Sequence, residues 1–229
     1  MPHIVKSFDD ELKKLTHMIG AMGGLVESEL RQALDALEHF DTERAKTVIS
    51  DDVKVDRLEQ EIAAFCVKIL ALRQPMAQDL REVVAAIKIS SDIERIGDYA
   101  KNIAKRAMLL EQETSLRPLG GLLRMGRLAL SITDEIIGAY VDKDQERALA
   151  GWRRDQEVDE MYASLFREML TYMMEDPRNI GPCTHLLFIA KNIERIGDHA
   201  TNIAEVLYFL VTGKNLEEER PRHDSTRMT

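Results

Sequence analysis

Four pairs of acidic residues, each pair separated by four positions, are the residues in this sequence best suited to chemistry. A four-residue spacing places both carboxylates of a pair on one face of an α-helix, about one turn apart. Carboxylate oxygens on facing helices are ligands for hard cations, so the pairs predict one or more metal sites. The pairs are Asp52 and Asp56, Glu94 and Asp98, Asp155 and Asp159, and Glu194 and Asp198.

Neighbouring polar residues extend these pairs but do not decide what the pairs do. Asn102 and Asn202 continue two of the stripes as possible supporting ligands. Arg95 and Arg195 either neutralise nearby carboxylates or contact a partner protein. Acidic pairs are also common on solvated helix surfaces, so the stripes are either ligand sites or charged docking faces. Oxygen ligands alone do not choose among Fe, Mn, Zn, Mg and Ca.

Catalytic motifs are not found in the sequence, which predicts a protein that is not an enzyme and has no organic cofactor. Glu-x-x-His motifs of di-iron bundles, Gly-rich phosphate loops and Gly-x-Ser-x-Gly elbows do not occur. His199 follows Asp198, but the matching position of an internal repeat holds Tyr99, which disfavours a shared metal role. Cys66 and Cys183 have no metal-ligand spacing and are predicted to be small buried hydrophobes.

Composition favours a helical, ordered chain that does not bind nucleic acid. Of 229 residues, 45% are hydrophobic, which is enough to form a core, and only 5% are aromatic, which favours helices over sheets. The net charge of −9 and the lack of a basic stripe disfavour nucleic acid. The first eleven residues contain no apolar signal core, and no stretch of about 18 apolar residues follows, so a cytoplasmic location is expected.

Two matched segments indicate an internal duplication. Residues 92–105, DIERIGDYAKNIAK, and residues 192–205, NIERIGDHATNIAE, are identical at ten of fourteen positions. Upstream, residues 41–45 match residues 144–148 at an offset of 103. Because two separate blocks agree in order, the architecture is predicted to be two copies of one helical unit.

Each copy is predicted to contain three long helices, giving an all-α fold of two tandem antiparallel three-helix bundles. Short loops between consecutive helices make neighbours antiparallel, and Asp41 and Asp144 are candidate N-caps. The repeats are assigned to residues 1–115 and 116–213, divided near Pro118 and its following glycines, with a tail at 214–229 expected to be disordered. The six helices are expected at about 8–40, 42–72, 76–111, 119–141, 145–174 and 178–211.

In the third helix of each copy, isoleucines recur at helical spacing and the acidic stripe lies nearly opposite them. The stripes are therefore expected to point away from the core of their own bundle. Gly97 and Gly197 lie in the middle of these helices, where glycine costs about 1 kcal/mol relative to alanine. Close approach of a neighbouring backbone is the expected reason for both.

Several strings in the chain resemble the PhoU family. They are Leu72-Arg73-Gln74-Pro75, Asp79-Leu80-Arg81, the two Glu-Arg-Ile-Gly-Asp strings at 94–98 and 194–198, and Asn202-Ile203-Ala204. The resemblance extends over about residues 7–212. It implies tandem three-helix bundles whose Glu/Asp-x-x-x-Asp motifs bind multinuclear metal clusters in some members. All four motifs are intact here, at the acidic pairs named above.

The resemblance also implies a regulatory role. PhoU-like proteins are non-enzymatic negative regulators of the phosphate-starvation response and of phosphate uptake, and many form homodimers. They are thought to be adaptors between the ATPase subunit of the phosphate ABC transporter and the sensor histidine kinase. Association with the membrane is then peripheral and occurs only through these partners.

Three hypotheses follow. The first is the adaptor, in which metal on the acidic stripes orients a partner-facing surface. The second is a helical-bundle metal-binding protein or metal-dependent hydrolase that uses the paired carboxylates, which requires an interior ligand cluster with an open position. The third is a purely structural interaction module whose stripes are solvated surface.

Overall fold

The structure is a computed structural model that describes residues 2–110 and 118–218, with side chains described from residue 8. Within these ranges the fold is all-α and contains no strand. The helices are α1 (Pro2–His39), α2 (Thr42–Asp51), α3 (Val53–Arg73), α4 (Gln78–Ala107), α5 (Leu119–Asp142), α6 (Gln145–Glu175) and α7 (Ile180–Thr212), with a single 3₁₀ turn at Pro177–Asn179. The predicted fold class and six long helical segments are confirmed, and α2 and α3 together form the second segment.

The helix ends follow the capping residues that the sequence predicts. The Asp41 carboxylate accepts a hydrogen bond from the Arg44 N–H at 3.0 Å, and Asp144 accepts one from the Arg147 N–H at 3.0 Å. These bonds satisfy backbone donors that have no partner within the helix. Gln74, with a positive φ of 48°, ends α3 in the left-handed region before the turn into α4.

Some boundaries predicted from the sequence lie outside the described residues. These are the boundary between repeats at 115–116 and residues 219–229 of the tail. The third helix ends at Ala107, before the predicted end at about residue 111. The described part of the tail, residues 214–218, is not helical.

The two copies differ at their middle helices. In the first repeat Asp52 separates α2 from α3, although its backbone is right-handed and its N–H still bonds to the Val48 carbonyl at 3.3 Å. In the second repeat α6 runs for 31 residues without a break. Asp52 therefore lies at an interruption of the middle helix, whereas its counterpart Asp155 lies within a continuous helix.

Helices α4 and α7 form the centre of the molecule and run antiparallel. The Arg106 guanidinium near the end of α4 lies over the Phe188 ring near the start of α7, 3.9 Å from its centroid. At the other end, the Arg81 guanidinium near the start of α4 lies beside Gly213, which follows α7. Helices α1 and α5 complete a central group of four, and α2, α3 and α6 pack on its outside.

The isoleucine stripes of α4 and α7 are fully buried, as their helical spacing predicts. The two bundles pack directly against each other, which the lack of a low-complexity linker also predicts. Among the described helices, none combines the length and the apolar character needed to cross a membrane.

Candidate functional site

The acidic pairs lie in the seams between the middle and third helices of each repeat. The outward orientation predicted for the third-helix stripes does not extend to the paired acids of the middle helices, because Asp52 and Asp155 are 4% and 2% exposed. The physical reason is that α4 and α7 are central helices with neighbours on several sides. The face opposite the isoleucines is therefore covered by the adjacent middle helix rather than by water.

In the first repeat a lysine joins the two acidic pairs. The Lys101 ammonium donates one hydrogen bond to Asp98 Oδ1 at 2.9 Å and another to Asp52 Oδ2. Burial of Lys101 favours the neutral amine, but the hydrogen bonds that the ammonium donates to Asp52 and Asp98 outweigh it and raise the pKa of Lys101. The ammonium therefore stays charged at physiological pH and links α4 to the junction between α2 and α3.

Glu29 on α1 is a further buried acid in this seam, and no repeated motif marks it. It is 4% exposed, and its Oε2 atom makes no hydrogen bond within the described residues. Burial, with the nearby charge of Asp52, raises the pKa of Glu29 to about 8. The available sequence signal is one acidic residue within the apolar stripe of α1 that contains Met22, Val26 and Ala33.

Two of the predicted site residues in the first repeat have perturbed acidity. Burial and then the Asp98 charge raise the pKa of Glu94, and burial and then the Asp52 charge raise the pKa of Asp56. Both shifts arise first from burial and second from a neighbouring carboxylate.

In the second repeat, Asp155 lies against α7 at Gly197. A Cβ at position 197 would overlap Asp155 Oδ1. Gly97 in the first repeat also faces side chains, but at a greater distance: Glu29 Oε2 and Val26 are both 3.4 Å from the position of a Cβ. The prediction that a neighbouring backbone approaches these glycines is therefore wrong, since the approaching groups are side chains.

The rest of the second acidic site differs from the first in its cations. Lys191 Nζ donates to Glu194 Oε1 at 2.6 Å, while Glu194 Oε2 is buried and makes no hydrogen bond within the described residues. Thr201 holds the position that Lys101 has in the first repeat, and its hydroxyl donates to the backbone carbonyl of Asp198 at 2.8 Å. Asp159, the last member of these pairs, is partly buried on α6.

A polar cluster joins the two repeats at the centre of the molecule. His199 Nδ1 on α7 lies 2.8 Å from Asp92 Oδ1 on α4, and the Asn202 amide donates to the same oxygen at 3.3 Å. The Tyr99 and His199 rings are 5.7 Å apart between centroids. His199 and Asn202 thus both connect α7 to Asp92 on α4. Asn102, its counterpart, is partly buried on α4.

The two arginines of the repeated motif are accessible. Arg95 forms loose ion pairs with Glu94 at 3.6 Å and Asp98 at 3.7 Å, while 57% of its side chain is exposed. Arg195 is also exposed. Exposed ion pairs contribute about 0–1 kcal/mol, so local pairing leaves Arg95 available to a partner.

Metal ligation by the acidic pairs remains a prediction. Within the described residues, no three or more His, Cys, Asp or Glu side chains are arranged to hold one ion. In the first repeat one oxygen of Asp52 and one oxygen of Asp98 accept hydrogen bonds from Lys101, which does not fit a metal ion bridging these two oxygens. In the second repeat the buried, unbonded Glu194 Oε2 is a donor that fits one.

Exposed apolar side chains mark the tip of the helical hairpin in each repeat. Leu72 and Leu80 flank the turn between α3 and α4, and Met174 and Ile180 flank the turn between α6 and α7. Leu72 is 68% exposed and Met174 is 82% exposed. Because α4 and α7 are antiparallel, the two tips lie at opposite ends of the molecule.

The two cysteines are free and buried, as the sequence predicts. Burial raises the pKa of the Cys66 thiol to about 11 and also raises that of Cys183. Thiols of this kind are protonated at neutral pH and are poor nucleophiles.

Comparisons with known proteins agree with this architecture and with the duplication. The PhoU domain model matches the chain twice, at residues 19–107 and 122–207. A Caulobacter vibrioides strain NA1000 protein called phosphate-specific transport system accessory protein PhoU homolog is 48% identical, covering 97% of each chain. A Rhizobium meliloti strain 1021 protein with the same name is 50% identical, covering 98% of this chain and 95% of the relative.

Solved structures give the same result for the fold. The crystal structure of PhoU from Pseudomonas aeruginosa has a TM-score of 0.88 and 39% sequence identity, covering 90% of this chain and all of that chain. The phosphate transport system regulatory protein PhoU from Streptococcus pneumoniae has a TM-score of 0.86 and 31% identity, covering 92% and 100%. With two matched domains, near full-length relatives and the same fold, the chain belongs to the PhoU family.

Proposed function

We propose that this chain is a non-enzymatic, cytoplasmic regulator that represses the phosphate-starvation response and restrains phosphate uptake. The observation that carries the proposal is the near full-length similarity to accessory proteins of the phosphate-specific transport system. A rigid helical scaffold with the same motif on each half supports a role in binding other proteins. The proposed partners are the ATPase subunit of the phosphate transporter and the sensor histidine kinase.

The accessible arginines are the proposed partner contacts. Arg95 and Arg195 occupy matched positions on the two central helices and are exposed. Arginine is enriched at the energetically important points of protein interfaces, because its planar guanidinium makes several directed hydrogen bonds. A homodimer is also proposed, on the family resemblance alone.

The test is a chromosomal deletion in the source bacterium, complemented by the wild-type chain or by a double variant, Arg95→Ala with Arg195→Ala. The readouts are a phosphate-starvation reporter and the initial rate of labelled phosphate uptake, both at high external phosphate. The deletion is expected to raise both, the wild-type chain to restore repression, and the double variant to restore it incompletely.

A matched control separates partner contact from a general loss of charge. Lys105 is an exposed cation on α4, and Lys105→Ala is expected to complement fully. Wild-type reporter levels in the deletion strain would refute the regulatory role. Full complementation by the double arginine variant would refute only the assignment of the contact residues.

The second candidate function is metal binding or metal-dependent hydrolysis by the paired carboxylates. The observation that favours it is the buried Glu194 Oε2 that makes no hydrogen bond within the described residues. A metal at this position would polarise a bound water or phosphate oxygen. Turnover of phosphate esters that is lost on chelation and in Glu194→Gln would support the hydrolase, and no turnover with Fe, Mn, Zn, Mg or Ca would oppose it.

A further inference from the structure

The two acidic motifs are similar in sequence but differ in one charged side chain. Lys101 lies three positions after Asp98, and the corresponding position after Asp198 holds Thr201. In the fourteen-residue match, Lys101 is the residue whose ammonium contacts Asp52 and Asp98. The other three differing positions are 92, 99 and 105 in the first copy.

Lys101 lies between the carboxylates of two helices. Its ammonium bonds to Asp98 Oδ1 at 2.9 Å and to Asp52 Oδ2, and its side chain is only 21% exposed. The Asp52 side chain is 6% exposed, so this pair is screened weakly by water. Removing a partner from such a buried pair leaves an uncompensated charge, so displacing the Lys101 ammonium from these carboxylates is unfavourable.

An ammonium and a metal ion compete for the same oxygens. A divalent ion that bridges Asp52 and Asp98 needs their oxygens at roughly 2.0–2.6 Å, depending on the metal. The Lys101 ammonium already fills the space between these oxygens. A bound ion would have to displace it, and electrostatic repulsion between the two cations opposes binding while Lys101 remains nearby.

The matched position of the second repeat holds Thr201, which supplies no ammonium. Its hydroxyl is uncharged and is directed to the backbone carbonyl of Asp198, at 2.8 Å, rather than to a carboxylate. Lys191, one turn earlier on α7, donates to Glu194.

We propose that Lys101 is a built-in cation that prevents the first-repeat carboxylates Asp52 and Asp98 from binding a divalent metal ion. The first seam is held together by the lysine as a structural contact between α4 and the α2–α3 junction. This inference does not depend on the proposed regulatory role.

The experiment is a titration of the full chain with Mn²⁺ alone, followed by calorimetry, with bound metal counted by elemental mass spectrometry after desalting. The variants are Lys101→Thr, which copies the second repeat, and Lys101→Met, which keeps the length of the side chain without its charge. Lys105→Thr removes an exposed lysine of the same helix and is the matched control. Circular dichroism verifies that each variant is folded.

Lys101→Thr and Lys101→Met are expected to bind one more Mn²⁺ per chain than the wild type, whereas Lys105→Thr binds the same number. The additional ion is expected to disappear when Asp52→Asn is added to Lys101→Thr. The proposal is overturned when neither Lys101 variant gains an ion, or when Asp52→Asn alone removes Mn²⁺ from the wild-type chain. Reporter expression plays no part in this test, so its outcome is separable from that of the proposed function.

Discussion

His199 on α7 and Asp92 on α4 are 2.8 Å apart, so that one side chain from each repeat joins the two central helices. The corresponding residues of the duplication are Tyr99 and Asn192, which offer neither an imidazole nor a carboxylate. The contact is therefore specific to one side of the pseudo-symmetric centre.

Replacing Asp92 with asparagine is expected to weaken the joint between the repeats. Both side chains are mostly buried, at 17% and 21% exposed, so the loss of a charged acceptor should lower the free energy of unfolding by about 1 kcal/mol. Urea unfolding followed by circular dichroism measures the change. Asp10→Asn, at an exposed position of α1, is the control, and an equal effect of both substitutions would contradict the role of Asp92.

Glu29 should make stability fall as the solution becomes alkaline. Its pKa is raised from 4.5 to about 8 in the folded chain, so the folded state holds a proton that the unfolded state releases between these values. The resulting stabilisation is complete below pH 4.5 and is lost as pH rises through 8. Glu29→Gln removes this dependence, so between pH 6 and pH 9 the variant is expected to gain about 3 kcal/mol of stability relative to the wild type.

The measurement for Glu29 is the free energy of unfolding in urea at pH 6 and pH 9. The advantage of Glu29→Gln over the wild type in free energy of unfolding should be about 3 kcal/mol larger at pH 9 than at pH 6. Glu157→Gln, at an exposed position of α6, should show the same small difference at both pH values. Equal effects of Glu29→Gln at the two pH values would show that the carboxyl group does not change its protonation between them.

The two motif glycines should respond differently to alanine. A methyl group at Gly197 overlaps Asp155, which is buried and has little room to move, so Gly197→Ala should lower the free energy of unfolding by about 1–3 kcal/mol. A methyl group at Gly97 meets Glu29 and Val26 at 3.4 Å, an ordinary contact. There the gain in helix propensity, about 1 kcal/mol, should leave stability unchanged or higher. Thermal unfolding of the two variants side by side tests this order, and its reversal would contradict the packing described.

Trp152 provides a probe of whether the repeats unfold together. It is the single tryptophan of the chain, is 2% exposed, and donates from its indole to Glu205 Oε1 at 3.0 Å. Its fluorescence therefore reports on the second repeat, whereas circular dichroism reports on all helices. Because α4 and α7 share a long buried contact, the two signals should follow one urea transition. Separate midpoints would mean that each repeat unfolds by itself.

Local signals in the sequence predicted much of the fold. Asp41 and Asp144 marked the helix starts because capping is a contact within four residues, and the matched motifs predicted the duplication. The break at Asp52 was not predicted, since the helical pattern continues through it. The burial of Asp52 and Asp155 was missed because periodicity identifies the apolar face of a helix but not the neighbours that cover its other faces.

The sequence predicted the acidic residues of the candidate site but not the cations that contact them. The difference between Lys101 and Thr201 is visible in the sequence. The hydrogen bond from Lys101 to Asp52 joins residues 49 positions apart, so only the tertiary fold reveals it. Glu29 belongs to no repeated string, so only its unusual place in an apolar stripe marked it. Metal occupancy and the partner contacts of Arg95 and Arg195 stay predictions.

The antiparallel arrangement of α4 and α7 sets the distance between the two apolar tips. Each of these helices begins near the apolar tip of its own repeat, and α7 alone, at 33 residues, is about 50 Å long. The duplication has thus placed two exposed apolar ends on a single polypeptide, held apart by the length of its central helices.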